Sequence, residues 1–277
     1  MTQSKEYQKM RIGCMLWRIG DILSLHKQIE WVKAHAFEEV SFWTIPGNPG
    51  VWEGFDAEHA SQADIAALRK ALTGISEVDL HAGFPLDSVN ADARKLTLQK
   101  LDSTFTLAKA IGASVVTVHP DKVAADYSGS ARDAAMTHSL IQLNELAESA
   151  DVMVGIETEW DMLLIEELDL PCVGLTVDTG HMHFRDGQAF KPYGSLAGLI
   201  ERFHKKIVHL HVHDYDGNLD HIAIGRGYID FPGIIKALCA VQFTGSLCLE
   251  INPDREPPEG ICQSRNLLME MIDSFQA

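Results

Sequence analysis

The sequence lacks several patterns that would each indicate a common class of protein. No run of apolar residues approaches the roughly 20 that a membrane-spanning helix needs. There is no G-x-G-x-x-G turn and no Walker motif, so a nucleotide-binding open sheet has no support. The five cysteines are odd in number and have no C-x-x-C spacing, which disfavours a disulfide framework. We expect reduced thiols, no membrane segment and a cytoplasmic location.

Positive charge is also scarce. The chain has 23 Lys and Arg against 39 Asp and Glu, which gives a net charge of −16. The electrostatic field of a chain with this net charge repels phosphate backbones and anionic membranes, so we do not expect nucleic acid as a partner. The N-terminal segment MTQSKEYQKMR lacks the apolar stretch of a signal peptide, and we expect no processing there.

The overall amino-acid composition is that of a globular protein. Hydrophobic residues make up 46% of the chain and charged residues 22%. The 277 residues fall within the range of about 200 to 400 that (β/α)₈ barrels occupy. No Pro/Gly/Ser-rich linker and no internal repeat divides the sequence. We therefore expect a single domain over residues 1–277.

Eight short apolar runs alternate with amphipathic stretches along the chain. This alternation predicts βαβ units and a parallel sheet, and eight units favour a closed (β/α)₈ TIM barrel of the α/β class over an open doubly wound sheet. Helices are predicted over 91–111, where Leu96, Leu101, Phe105 and Ala108 share one face, and over 133–149. Segments 44–55 and 185–194 are predicted loops and candidate lids. The apolar runs are residues 11–17, 38–43, 77–82, 114–119, 152–157, 173–178, 207–212 and 246–251.

Polar residues fall on one face of these runs, near their C-terminal ends. In the seventh run, Val208, Leu210 and Val212 form the apolar face. The period of two then turns His209, His211 and His213 towards the barrel interior. Five other runs also end in an inward carboxylate or imidazole, namely His81, His119, Glu157, Asp178 and Glu250.

Several carboxylates in one barrel mouth indicate a bound cation, because buried like charges are costly unless they are neutralised. Glu157, Asp178, His211 and Glu250 offer mostly oxygen ligands and one imidazole. This set suits one Mn²⁺, Mg²⁺ or Co²⁺ ion, with Zn²⁺ as an alternative. Side chains two residues apart on a strand are displaced by about 6.5 Å, so the three histidines of the seventh run cannot all bind one ion. We expect His209 to be a packed interior residue and the pair Glu38-Glu39 to face solvent.

Five segments give the chain a family resemblance. The end of the fifth run at Glu157 and the segments VDTGHMHF, HLHVHD, HIAIGRGYIDF and LCLEI resemble the xylose isomerase-like TIM barrel superfamily. Its members include sugar and sugar-phosphate isomerases and epimerases, inosose and dehydroshikimate dehydratases, and endonuclease IV. The resemblance spans nearly the whole chain, with its specific motifs in the second half.

The resemblance implies a metal-dependent sugar isomerase or epimerase with a small carbohydrate substrate. Glu157, Asp178, His211 and Glu250 would be the metal ligands. Glu157 and Glu250 would also be catalytic, because two carboxylates on opposite sides of a substrate can take and return a proton. His181, Arg226 and Trp17 would be substrate-binding residues. Barrels of this kind often pair, so a homo-oligomer is also expected.

A second function stays open because the chain carries further histidines of the endonuclease IV pattern. His81, His119, His181 and His221 match additional zinc ligands of that enzyme, which would bring the count to two or three zinc ions. The aspartate that belongs two residues before the last histidine is Leu219 here. A zinc phosphodiesterase or abasic-site nuclease, a polyol dehydratase and a non-catalytic barrel are therefore the alternatives, and the number of bound ions separates the first of them from the isomerase.

Overall fold

The computed structural model describes residues 10–120 and 129–276. Most of the N-terminal segment, for which no processing is predicted, lies outside the described residues. The strands that form the barrel are β1 (Arg11–Met15), β2 (Glu39–Trp43), β5 (Glu77–Pro85), β6 (Val115–His119), β7 (Met153–Glu157), β8 (Val173–Asp178), β9 (Ile207–Val212) and β10 (Ser246–Leu249).

These eight strands close into one barrel in the order β1-β10-β9-β8-β7-β6-β5-β2, and the paired strands run parallel. The predicted (β/α)₈ barrel is confirmed and the open sheet is wrong. Strand bounds agree with the apolar runs to within two residues, except that β5 continues to Pro85 through a shift of register after Ala82.

Helices follow the strands and form the outer layer. The capping box of Ser61 with Asp64 begins the second helix, and Gly112 in the left-handed region ends the third. None of the helices in the described part of the chain is long and apolar enough to cross a membrane. They are α1 (Leu25–Ala34), α2 (Gln62–Ala71), α3 (Ala91–Ile111), α4 (Ser130–Ala150), α5 (Met162–Leu168), α6 (Phe184–Gly187), α7 (Leu196–Phe203), α8 (Phe231–Ala240) and α9 (Pro258–Gln276), with 3₁₀ turns at His181–His183 and Lys191–Tyr193.

Three local predictions need correction. Leu96 is predicted to share the buried face of α3 but is 55% exposed, because the step of five residues from it to Leu101 turns it by about 140° around the helix. The predicted loop 44–55 contains a short hairpin, β3 (Gly47–Asn48) and β4 (Trp52–Glu53). The predicted loop 185–194 is largely helical turns, and it includes Arg185 and Asp186 at positive φ.

The interior of the barrel is polar at three levels, whereas branched apolar side chains fill most barrels of this class. At the lowest level, Glu77 accepts hydrogen bonds from Arg11 (2.6 Å) and Ser246 (2.5 Å). The uppermost level is the mouth. Between them lies an inner layer made of Glu39, Ser41, Asp79, Thr117, Thr176, His209 and Cys248, all fully buried.

The inner layer corrects one prediction and agrees with another. Glu39 is fully buried inside the barrel rather than solvent-facing, because Val40 and Phe42 occupy the apolar face of β2 and turn Glu39 inward. Its neighbour Glu38 is exposed, as predicted. His209 is a packed interior residue, as predicted.

Candidate active site at the barrel mouth

A cavity of about 530 Å³ opens at the C-terminal ends of the strands. Active sites of (β/α)₈ enzymes lie at this end, because the βα loops converge there. Its volume lies in the range of about 300 to 1,000 Å³ that is usual for small-molecule sites. Predicted site residues that line the cavity are Trp17, His81, His119, Glu157, His181, His221 and Glu250.

The floor of the cavity is organised around one imidazole nitrogen. Nδ1 of His211 on β9 lies 2.9 Å from Oε2 of Glu157 and 3.0 Å from Oε2 of Glu250. A ring nitrogen carries at most one proton, so it cannot donate fully to both oxygens. The three side chains come from β7, β9 and the end of β10, and all three are buried. Three ligand atoms that converge in this way can share one cation.

Asp178 is held by a different set of partners. The backbone N–H of His181 donates to Asp178 Oδ1 (2.7 Å), and Nε2 of His213 lies 2.9 Å from the same oxygen. Nδ1 of His213 accepts from the backbone N–H of His221 (2.8 Å). Nδ1 of His213 thus acts as an acceptor, and Nε2 is the ring nitrogen that donates to Asp178. The structure brings Asp178 into a candidate ligand group with His181, His213 and His221.

His181 connects Glu157 with Asp178. Its Nδ1 lies 2.8 Å from Glu157 Oε1 and 3.4 Å from Asp178 Oδ2. Burial lowers the pKa of His181, but the carboxylates of Asp178 and Glu157 outweigh it and raise that pKa to about 10. His181 is thus charged at neutral pH when these carboxylates are its only ionic partners.

His81 and His119 form the third part of the mouth. Their Nε2 atoms are 2.5 Å apart, and Nε2 of His119 is 3.5 Å from Oε2 of Glu157. Burial, followed by the charge of His119, lowers the pKa of His81 to about 3, and burial also lowers the pKa of His119. Both rings are therefore neutral and have nitrogen lone pairs. With Glu157 they make a further candidate ligand group.

The carboxylates of the mouth are ionised in spite of their burial. Burial raises the pKa of Glu250, but His211 overcomes it and leaves the pKa at about 2. Burial likewise opposes ionisation of Glu157, whose pKa is nonetheless held well below its usual range by His119, His181 and His211. Burial lowers the pKa of His211, whereas Glu250 and Asp79 raise it well above the ordinary value. The protonated rings of His181 and His211 therefore supply, at neutral pH, the positive charge that a metal ion could supply instead.

The residues present fit a divalent metal ion. Nδ1 of His81 is buried and has no hydrogen-bond partner among the described residues, and Oε2 of Glu250 competes with Glu157 for the single proton of His211 Nδ1. The donors around His211 Nδ1 are carboxylate oxygens, which hard divalent cations prefer, and imidazole also suits zinc. Glu157 belongs both to this group and to the group with His81 and His119, so the geometry accommodates more than one ion.

Aromatic side chains form one wall of the cavity. The ring of Trp17 lies 5.3 Å from that of His221, and Trp43 stacks on His81 at 4.0 Å. Trp17 is thus placed where a substrate would meet it. Arg226 is not among the residues of the cavity wall in the described part of the chain. Its side chain is 59% exposed and pairs with Glu256 at 2.5 Å, so the geometry does not support the predicted substrate contact.

Sequence reasoning missed a buried arginine beside the mouth. Arg132 on α4 makes two hydrogen bonds to Asp161 (2.6 and 2.8 Å) and one to Asp87 (2.8 Å). It lines a second cavity that adjoins the first at Glu157 and His181. The partners are 45 and 29 residues away in sequence, so no local pattern could have indicated the cluster.

Comparison with known proteins gives a consistent result. The family model described as xylose isomerase-like TIM barrel matches residues 29–271. A protein of Methanocaldococcus jannaschii named uncharacterized protein MJ1311 is 24% identical over 218 residues, which are 71% of this chain and 70% of that protein.

Solved structures share the fold over almost their full length. A D-tagatose 3-epimerase-like protein superposes with a TM-score of 0.76 at 22% identity, covering 96% of this chain and 98% of that one. D-psicose 3-epimerase from Clostridium cellulolyticum H10, solved with D-tagatose, superposes with a TM-score of 0.75 at 15% identity. The match covers 95% of this chain and 99% of that one. At these identities the likeness concerns the fold alone.

Proposed function

The chain belongs to the xylose isomerase-like TIM barrel family, and from that premise we propose that it is a divalent-metal-dependent isomerase or epimerase of a small sugar, sugar phosphate or polyol. The observation that carries the proposal is the pair of buried carboxylates, Glu157 and Glu250, on either side of His211 at the floor of the cavity. The names of the structural neighbours are those of sugar epimerases, which agrees with it.

Glu157, Asp178, His211 and Glu250 would hold the ion. A divalent cation there would stabilise negative charge that develops on substrate oxygens when a neighbouring carbon loses its proton. Asp178 is turned towards His213, so its side chain would have to rotate to join the other three. One Mn²⁺, Mg²⁺ or Co²⁺ fits this set.

The two glutamates would move the proton. Both are ionised at neutral pH, as a base must be, and they approach His211 Nδ1 from β7 and from the end of β10. A substrate above His211 would therefore have one carboxylate on each side. One glutamate would remove the proton, and the other, after taking a proton from solvent, would donate that different proton to the opposite face of the same carbon, which inverts it and is the outcome of an epimerase. His181, bonded to Glu157 Oε1, fixes the position of that carboxylate.

Exchange of substrate hydrogen with solvent tests this proposal. We expect the chain loaded with Mn²⁺ to exchange the hydrogen next to the carbonyl of a ketose with deuterium, across a panel of sugars and sugar phosphates, as measured by NMR. Glu157→Gln and Glu250→Gln should each reduce the exchange by roughly 10² to 10⁴ fold. Glu167→Gln, at an exposed position on α5, is the matched control and should exchange normally. Full exchange in either mouth variant would contradict the two-carboxylate mechanism.

A zinc phosphodiesterase of the endonuclease IV type is the second candidate. The observation that favours it is the candidate ligand group of His81, His119 and Glu157, together with the group around His181 and His221. The net charge of −16 disfavours a DNA substrate. Two or three zinc ions per chain and cleavage of an abasic-site duplex would support it, and one Mn²⁺ per chain without cleavage would count against it.

A polyol dehydratase would use the same carboxylates and then expel hydroxide. Its product has lost water, which mass spectrometry separates from an epimer. We also propose that residues 1–277 form a single domain, that the protein is cytoplasmic, and that it forms a homo-oligomer.

A further inference from the structure

A second group of metal-ligating side chains lies inside the barrel, below the mouth. Glu39 on β2, His209 on β9 and Cys248 on β10 place one ligand atom each within 4.8 Å of the others. His209 and Cys248 are two residues before His211 and Glu250 on their strands, so they lie about 6.5 Å deeper. The group shares no side chain with the four predicted metal ligands of the mouth.

Gly13 on β1 creates the space for this group. It is the register partner of Glu39 on one side and of Cys248 on the other. A Cβ atom at this position would lie 1.3 Å from Oε2 of Glu39. The glutamate carboxylate therefore occupies the place of a missing side chain, and this lets it extend across β1 towards Cys248.

The side chains around this space have polar atoms without partners. Both carboxylate oxygens of Glu39 and both ring nitrogens of His209 are fully buried and form no hydrogen bond to an oxygen or nitrogen atom among the described residues. The thiol of Cys248 is placed to donate to Glu39. A buried polar atom without a partner is costly, and a buried carboxylate more so. Four such atoms in one place indicate a ligand that the side chains themselves do not provide.

The separations in the group suit a shared ion better than hydrogen bonds. Nε2 of His209 lies 3.9 Å from Oε1 of Glu39 and 3.8 Å from Oδ2 of Asp79, both too long for a hydrogen bond. Ligand atoms about 2.0 Å from a tetrahedral zinc ion lie about 3.3 Å apart. Side-chain movements of about half an ångström would bring His209 to that distance from Glu39 and Asp79, and Cys248 has its ligand atom within 4.8 Å of those of His209 and Glu39.

We propose that Glu39, His209 and Cys248 form a second, buried metal site that binds Zn²⁺, with Asp79 as the nearest fourth donor. Thiolate and imidazole together with carboxylate select zinc over manganese or magnesium, which prefer the oxygen-rich mouth. Asp79 is already fixed by Ser41 (2.6 Å) and Thr117 (3.0 Å). Because all four side chains are fully buried, the ion would be structural and would exchange slowly.

Cobalt substitution reads out the thiolate ligand directly. We expect the full chain, produced in medium containing Co²⁺ and then treated with EDTA, to retain about one Co²⁺ and to show a thiolate-to-cobalt charge-transfer absorption. Cys248→Ser should lose both the retained ion and the absorption. Cys14→Ser is the matched control, since Cys14 is equally buried but lies on the other face of β1, and it should keep both.

Two further measurements keep the test decisive if Cys248→Ser folds poorly. X-ray absorption of the wild-type chain that retains zinc after chelation should show one sulfur ligand per ion. Glu250→Gln, which alters only the mouth, should keep the cobalt absorption, so a failure of the proposed function leaves this result intact. Wild-type protein that retains no ion after EDTA, or an absorption that survives Cys248→Ser, would overturn the second site.

Discussion

The mouth of the barrel and the inner layer below it contain the same kinds of side chain in different surroundings. At the mouth, Glu157, His181 and His211 neutralise one another through contacts of 2.8 to 2.9 Å, and the group borders an open cavity. In the inner layer, Glu39 and His209 are sealed from solvent and form no hydrogen bond to an oxygen or nitrogen atom among the described residues. The mouth suits a ligand that enters and leaves, and the inner layer suits an ion acquired on folding.

The largest effect should come from filling the space of the inner layer. Gly13→Ala places a methyl group on the Glu39 carboxylate, and we expect a loss of roughly 3 kcal/mol of stability. For a chain of this size that is a fall in Tm of about 6 to 12 °C by calorimetry. Gly129→Ala is the control, because an added Cβ there meets nothing within 4 Å among the described residues. Equal stability of the two variants would mean that the inner layer is not packed as described.

The next effect should come from the residue that holds Asp178 at the mouth. His213→Leu removes the donor to Asp178, and loss of such a partner typically lowers metal affinity by about 10 to 100 fold. We expect this change in a Mn²⁺ titration followed by calorimetry. His213→Gln retains an N–H donor and should recover part of the affinity. Unchanged affinity in His213→Leu would place Asp178 outside the metal site.

A change of pH should reveal the charge that His181 carries at the mouth, through its effect on the stability of the protein. Its pKa in the folded chain is about 10, above the value of roughly 6.5 of an unfolded histidine. The stabilisation it gives is therefore fully present below about pH 6.5 and is lost as the pH rises through 10. We expect the Tm of chain without Mn²⁺ to fall over this window, and to fall less in His181→Gln. The opposite trend would show that His181 is neutral.

The smallest effect should come from Arg226, outside both levels. Its exposed pair with Glu256 is worth at most about 1 kcal/mol. We expect Arg226→Ala to leave KM for the best substrate within about twofold, whereas Trp17→Ala, in the cavity wall, should raise it clearly. A large rise of KM in Arg226→Ala would restore the role that its loop position suggested.

The contrast between the two levels also explains what the sequence could predict. Alternation along single strands was enough to place His81, His119 and Glu157 at one end of the barrel, because each ends its own apolar run. The same rule applied to β2 would have turned Glu39 inward, but the pair Glu38-Glu39 at a strand start resembles a solvated surface.

Contacts between distant segments were beyond the sequence. The ion pairs of Arg132 and the rotation of Asp178 towards His213 depend on how loops and helices meet after the barrel closes. Leu96 lies five residues before Leu101, which places it about 140° away around α3, so it faces solvent instead of the barrel. Local periodicity thus gave the fold and the ring of polar strand ends, and tertiary packing decided their partners.

Anomalous diffraction from crystals grown with Mn²⁺ locates the ion at the mouth most directly. We expect a manganese peak bonded to His211 Nδ1 and to oxygens of Glu157, Asp178 and Glu250, at about 2.0 to 2.4 Å from each. Crystals of active protein with no anomalous peak among these four residues would contradict a metal-dependent centre at the barrel mouth.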